Sequence, residues 1–393
     1  MNQRQLFLQH LAQTSDTPLM LEIERAEGIY LYDTDGKAYI DLISGIGVSN
    51  VGHRHPNVLT AIQNQLDKYL HTMVYGEFVQ SPQVQLAQAL ASTLPDPLES
   101  AFLVNSGSEA VEGALKLAKR YTGRSEIISF QKAYHGSTHG ALSATGDDEF
   151  KRNFRPLVPD FRHIRYNNLE DLESITMGTA GVLIETVQGE AGVIVGDKNY
   201  FQVLSKRCNE MGTLLMVDEI QTGFGRTGKF WGFEHFDIVP DVVLSAKGMG
   251  GGMPIGCFIS SIEIMSVFKD NPVLGHISTF GGHPVSSAAA LATLQTIKND
   301  RLLDAVDEKR RLFLDLLKHP KIKSIRAKGL MMALEFESYE VLKPIIDRAM
   351  ELGVITDWFL FNDRSMRIAP PLTITTDEIK KACKVVLQAC NEA

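Results

Sequence analysis

Two stretches decide the fold: Leu214-Leu-Met-Val-Asp218-Glu-Ile-Gln221 and Val242-Val-Leu-Ser-Ala-Lys247. Each opens as a short apolar run without polar alternation. Such a run suits a strand buried on both faces of a mostly parallel sheet. Each then stops in groups that carry chemistry, carboxylates in the first and a lysine in the second. Four further apolar runs lie at Ala101–Val104, Ile127–Phe130, Gly181–Ile184 and Ile255–Ile259. Helical patterns such as Glu109–Tyr121 and Tyr200–Met211 fit between them as crossovers. The expected fold class is α/β, with a mostly parallel sheet flanked by helices.

Outward from this centre the texture changes. Near the amino terminus a short amphipathic helix candidate precedes Gly28-Ile-Tyr-Leu-Tyr-Asp-Thr-Asp-Gly-Lys-Ala-Tyr39, whose alternation around Asp35-Gly36 predicts a β-hairpin. Beyond about residue 295 come charged helical patterns such as Arg301–Leu317, a strand at Met331–Phe336 and a terminal helix from Thr376. The expected division is a large domain over 55–292 and a smaller α+β domain over 293–393. The segment 1–54 would contribute to the smaller one.

Composition narrows the function classes. The 393 residues are 44% hydrophobic and 22% charged, which suits a globular chain rather than a disordered, collagenous or coiled-coil one. The net charge of −8 comes without a basic block, so an extended nucleic-acid or anionic-membrane surface is not expected. The four cysteines, at 208, 257, 383 and 390, are too scattered for a disulfide scaffold or a C-x-x-C site. The amino terminus lacks a signal-peptide pattern, and no apolar stretch is long enough to cross a bilayer. A cytoplasmic location with reduced thiols is expected.

Ligands of open α/β sheets bind beyond the carboxyl ends of the strands. There the chain places Asn105-Ser106-Gly107-Ser108-Glu109, Tyr134-His135-Gly136, Glu185, Gln188-Gly189-Glu190, Asp218-Glu219-Ile220-Gln221 and Lys247. Ser106–Glu109 reads either as a capped helix start or as an anion cradle of free N–H groups. Lys247 reads either as a surface lysine or as a buried, covalently used one. The loop after it is neither G-x-G-x-x-G nor Walker A, which weakens nucleotide readings. The histidine pairs His53/His55 and His135/His139 lack supporting ligands, so no metal is expected. Neither G-x-S-x-G nor H-E-x-x-H occurs.

Taken together, Asp218-Glu-Ile-Gln-Thr-Gly-Phe-Gly-Arg-Thr-Gly228, Pro240-Asp241, Lys247, Ser278-Thr-Phe-Gly-Gly282 and Arg367-Ile-Ala-Pro-Pro-Leu372 resemble the class III aminotransferases. These are pyridoxal-phosphate enzymes of fold type I, and the likeness is strongest to the ornithine, acetylornithine and ω-amino-acid branch. Lys247 follows Asp218 by 29 positions, also as in that family. The resemblance implies that Lys247 carries pyridoxal 5′-phosphate and moves the proton, while Asp218 pairs with the ring nitrogen. It implies that Tyr134 stacks on the ring, with His135 beside it. Ser106, Gly107 and Ser108 would hold the phosphate, joined by Thr279 of the partner subunit. Gln221 would meet the phenolic oxygen, with Glu185 close by. Arg367 would bind a substrate carboxylate, and Glu190 would gate it. A homodimer with shared sites is thereby implied, acting on a small amino donor and a 2-oxo acid acceptor.

Some positions depart from the family pattern. Ser137 stands where many relatives carry an arginine for the distal carboxylate of 2-oxoglutarate. Asp16 and Ile46 stand where ornithine aminotransferases carry tyrosines. The donor and acceptor therefore stay open. An ω-amino acid–pyruvate aminotransferase and an aminomutase of the glutamate-1-semialdehyde type remain alternatives. A non-catalytic binding protein and a nicotinamide oxidoreductase fit the residues less well.

Overall fold

The structure, a computed structural model, describes residues 2–393. Its centre is a seven-stranded sheet. Across the sheet the strands are Ser100–Val104, Gly256–Ser260, Val242–Ser245, Leu214–Asp218, Thr179–Glu185, Glu126–Phe130 and Phe161–Ile164. Gly256–Ser260 pairs antiparallel with both neighbours, and the other pairings are parallel. The mostly parallel α/β sheet thus forms as expected. Phe161–Ile164 was not anticipated. Its Phe-Arg-His-Ile sequence is not an apolar run, because the strand lies at the sheet edge and is only partly buried.

Both faces of the sheet are covered, which explains the absence of alternation. Val182, Val217, Val243 and Ile259 pack with Phe201 and Leu204 in one core. Their neighbours Leu183, Met216, Leu244 and Phe258 pack with Ala114 and Leu117 in another. Each such side chain stabilises the fold by about 1.5–3 kcal/mol through removal from water. The helix Gly107–Thr122 starts on the Ser106 cap and stops at Gly123, whose φ of 68° is left-handed. Gly113 lets it lie against the sheet, since a Cβ there would come within 2.2 Å of the Phe258 ring.

A second body holds the antiparallel strands Ser324–Lys328, Met331–Glu335, Asn362–Ile368 and Trp358–Phe359. Helices Tyr339–Glu351 and Thr376–Glu392 pack on it. The amino-terminal strands Tyr30–Asp33 and Ala38–Asp41 form the hairpin, with Gly36 at φ 80°. Ala38–Asp41 then pairs in parallel with Val354–Ile355, and Ile29, Ile40 and Leu42 share a core with Leu334, Ile346 and Val386. The two chain ends therefore build one body. The expected division at 292 falls inside the helix Pro284–Asn299, whose Leu294 and Ile297 belong to the core of the large sheet. The pattern at Arg301–Leu317 is not one helix. It splits into a 3-10 turn at Leu302–Ala305 and a helix at Val306–Leu316. Arg226, fully buried, bridges the two bodies by donating to the Leu330 and Pro370 carbonyls and to Asn50 Oδ1.

Candidate active site

Register brings the chemistry together. Asp218 sits opposite Glu185 on one neighbouring strand and opposite Leu244 on the other, so the carboxyl ends of three strands are level. Lys247 follows just beyond the third. A cavity of about 410 Å³ opens there, within the size range of small-molecule sites. Ser106, Gly107, Ser108, Tyr134, His135, Glu185, Glu190, Asp218, Gln221 and Lys247 all line it.

Two of the sequence-predicted residues lie elsewhere. Arg367 stands behind Glu190, lining a small adjoining cleft with Ile46, Gln221 and Phe359. Thr279 is exposed and does not line the cavity. Its carbonyl lies 2.9 Å from His71 Nε2, while the neighbouring Ser278 Oγ accepts from Asn105 Nδ2 at 2.9 Å.

The polar groups are held in place. His135 Nδ1 lies 2.7 Å from Asp218 Oδ2, and Asp218 Oδ1 accepts from Ile220 N–H at 3.0 Å. Glu185 accepts from Tyr134 N–H and Gly189 N–H, both at 3.0 Å. Burial pushes the Glu185 carboxyl up to about 7, with His135 opposing and Asp218 adding to the rise. At the opposite wall Ser106 caps the 16-residue helix, its Oγ accepting from Glu109 N–H at 3.2 Å. The Glu109 carboxylate turns back to Asn105, whose N–H and Nδ2 each donate at 2.9 Å. Both readings of this junction are therefore compatible: the helix is capped, and its amino end faces the cavity. Gly107 lets the Ile220 side chain pack close, since a Cβ would lie 2.9 Å from its Cδ1 and displace it.

Lys247 adopts a left-handed backbone, φ 46°, between the strand and the glycine-rich loop, and its side chain faces the cavity. Strained backbone of this kind concentrates at functional sites. Burial lowers the Lys247 amine below its usual range, which Glu190 opposes and Arg367 reinforces. Glu190 grips Arg367 in a two-point pair, Nη1 to Oε1 and Nη2 to Oε2, at 3.0 Å each. Burial alone would raise the Glu190 carboxyl, but Arg367 outweighs it and holds it down to about 2. Gln221 Nε2 donates to the same Oε1 at 3.3 Å. Asp357, which the sequence reading missed, takes the Nε of Arg367 at 2.8 Å. Its only sequence signal is its position ten residues before Arg367, meaningless until the strand pairing is known.

Comparison with known proteins agrees with this geometry. The aminotransferase class-III profile matches residues 11–390. The chain belongs to the class III aminotransferases. The acetylornithine aminotransferase of Methanopyrus kandleri is 40% identical over 361 residues, covering 91% of this chain and 90% of that protein. A transaminase from the marine bacterium Virgibacillus superposes with a TM-score of 0.92 at 30% identity, covering 99% of this chain and 98% of its own. The ornithine aminotransferase of Toxoplasma gondii superposes at 0.91 and 29% identity, covering 98% and 93%, in a structure with PLP at partial occupancy in its active site.

Class III aminotransferases depend on pyridoxal 5′-phosphate. The cavity of this aminotransferase fits that group on its own evidence. It offers a helix amino end for a phosphate, a buried carboxylate held by a histidine, and a lysine whose amine is shifted toward its neutral form.

Proposed function

We propose that this aminotransferase moves the amino group of an ornithine- or acetylornithine-like donor, one that carries a carboxylate, to a 2-oxo acid. The carrying observation is the buried Arg367–Glu190 pair at the cavity wall. A buried guanidinium needs a carboxylate partner. The carboxylate of an α-amino acid, next to the reacting amine, can replace Glu190 there, and a donor that reacts through its ω-amine leaves the pair closed.

The remaining roles belong to the same reading. Bound pyridoxal phosphate supplies an electron sink for the charge left when the substrate carbon loses its proton. Lys247 Nζ would anchor the cofactor and, once released by the substrate amine, would take up that proton and give it back. Its lowered basicity at the cavity wall suits both transfers. Asp218, fixed by His135 and the Ile220 N–H, would present its negative charge to the ring nitrogen and keep it protonated. Tyr134, which lines the cavity, would stack on the ring. Ser106, Gly107 and Ser108 would hold the phosphate at the helix start, and Gln221 and Glu185 would border the ring's polar edge. Thr279 is exposed with Ile277 and Phe280 beside it, an apolar surface suited to a second copy. In a homodimer it would complete the phosphate site of the partner. No helix among the described residues is long and apolar enough to cross a membrane, and we place the enzyme in the cytoplasm. The large body around the seven-stranded sheet and the small body built from both chain ends would act as the two domains.

One observation favours a second acceptor. No arginine lines the cavity itself, and Ser137 is exposed, with its Oγ 3.3 Å from the Tyr134 hydroxyl. This suits pyruvate, which has no distal carboxylate, better than 2-oxoglutarate. The test is a panel of N-acetylornithine, ornithine and simple ω-amines against both oxo acids. Transfer from a carboxylate-bearing donor supports the proposal. Isomerisation of a semialdehyde without any added oxo acid would point instead to an aminomutase.

A further inference from the structure

The guanidinium of Arg367 is held from two sides, and only one of its holders faces the cavity. Its Nη1 and Nη2 edge meets Glu190, which lines the cavity. Its Nε donates to Asp357 Oδ1 at 2.8 Å, and Nη2 also donates to the Trp358 carbonyl at 3.3 Å. The Phe359 ring lies under it, 4.5 Å from Cζ to the centroid. The backbone draws this clasp together. Arg367 N–H donates to the Asp357 carbonyl at 2.8 Å, and Thr356 Oγ1 donates to the Arg367 carbonyl at 2.5 Å. Three consecutive residues, 356 to 358, thus wrap one arginine.

One buried cation therefore faces two carboxylates. They differ in position relative to the cavity. Glu190 lies between Arg367 and the cavity, so it is the one that an incoming carboxylate displaces. Asp357 stands off the cavity lining and stays. It is also wetter, with 23% of its side chain exposed against 5% for Glu190. We propose that Asp357 is a positioning and specificity-setting residue: it turns the Nη edge of Arg367 toward the cavity and, by its charge, limits how strongly that arginine binds a substrate carboxylate. This rests on the reading of Arg367 as the carboxylate site and adds a residue to it. Arg367 alone would bind any carboxylate tightly, and products with it. With Asp357 in place that hold is weaker, and Glu190 can return when the carboxylate leaves.

The charge on Asp357 depends on pH within the working range. Burial raises its carboxyl to about 6, with Arg367 opposing and Glu190 and Asp41 adding to the rise. Asp41 in turn lies 2.8 Å from His53 Nε2. As pH rises through about 6, Asp357 ionises and the pull of Arg367 on a carboxylate weakens.

The experiment uses the cofactor-loaded enzyme, its Asp357→Asn and Asp357→Ala variants, and valerate as an unreactive carboxylate inhibitor. Asn keeps an oxygen for Arg367 Nε and removes the charge. Near pH 8 it should lower both the KM of an α-amino-acid donor and the inhibition constant of valerate about three- to tenfold, with kcat and the KM of a carboxylate-free amine nearly unchanged. The valerate constant of the wild type should rise from about pH 5.5 to 8, and this rise should vanish in Asp357→Asn, where His53 is still present. Ala loses the orientation as well and should raise the KM of the amino acid. If Asn instead weakens amino acid and amine alike, or keeps the wild-type pH dependence, Asp357 is only structural and the proposal falls. Arg367→Lys separates the underlying reading. If that change leaves valerate inhibition intact, Arg367 is not the carboxylate site, whatever Asp357 does.

Discussion

His135 Nδ1 lies 2.7 Å from Asp218 Oδ2, and both side chains are almost wholly removed from water. The two come from strands two places apart in the sheet, brought together only by folding: His135 follows the Glu126–Phe130 strand, Asp218 ends the Leu214–Asp218 strand, and Thr179–Glu185 runs between them. The contact fixes the carboxylate that is proposed to meet the cofactor's ring nitrogen. Replacing Asp218 with Asn keeps the shape and removes the charge. Single-turnover rates should then fall about a hundredfold or more. Replacing His135 with Ala leaves the charge with the Ile220 N–H alone and should cost about tenfold. Rates unaffected in a folded Asp218→Asn enzyme would remove Asp218 from the mechanism.

The Arg367–Glu190 pair predicts opposite effects from its two partners. Arg367→Lys loses the two-point geometry and should cost a carboxylate-bearing donor about 2–3 kcal/mol in transition-state binding, with much less effect on a plain amine. Removing Glu190 leaves Arg367 open and should favour α-amino acids over ω-amines. Half-reaction kinetics with both donor types on both variants provide the check. Equal losses for the two donors in Arg367→Lys would make the arginine structural.

Glu190 also predicts a pH dependence of stability. Its folded carboxyl is held at about 2 against an ordinary 4.5. A lowered carboxyl contributes stability that is complete above the unfolded value and lost as pH falls through the folded one. The stability gap between wild type and Glu190→Gln should therefore be flat from about pH 5 to 8 and shrink below about 4.5, as read by denaturant unfolding. On the plateau it should be about 3 kcal/mol, the scale for breaking a buried pair. A gap that grows on acidification would contradict the pairing.

The proposed role of Thr279 across a dimer has its own signature. Lys247→Ala and a disruptive Thr279 substitution should each inactivate the homodimer. Mixed dimers should regain activity, because one of their two sites then holds both native residues. Demonstrated subunit exchange without recovery would place Thr279 in its own subunit's chemistry.

The sequence carried the parallel sheet because its strands are apolar on both faces, and register then made Glu185, Asp218 and Lys247 neighbours. It carried Gly107, whose lack of a Cβ leaves room for Ile220. It did not carry the edge strand Phe161–Ile164, which is half wet and lacks an apolar run. Nor did it carry the break at Ala305, since the charged pattern runs through both helical pieces. Asp357 was illegible for a different reason. An isolated aspartate gains meaning only when antiparallel pairing sets residues 356 to 358 around Arg367. Arg226 belonged to a legible motif, yet its clamp on Leu330 and Pro370 is visible only once both bodies are assembled.

The central claim is that this cavity is built around Lys247 as the cofactor's anchor. Borohydride reduction of the loaded enzyme, followed by peptide mass mapping, tests it most directly. A single phosphopyridoxyl adduct on Lys247 is the predicted result, absent from Lys247→Ala together with turnover. A reduced adduct on any other lysine, or full turnover by Lys247→Ala, would contradict it.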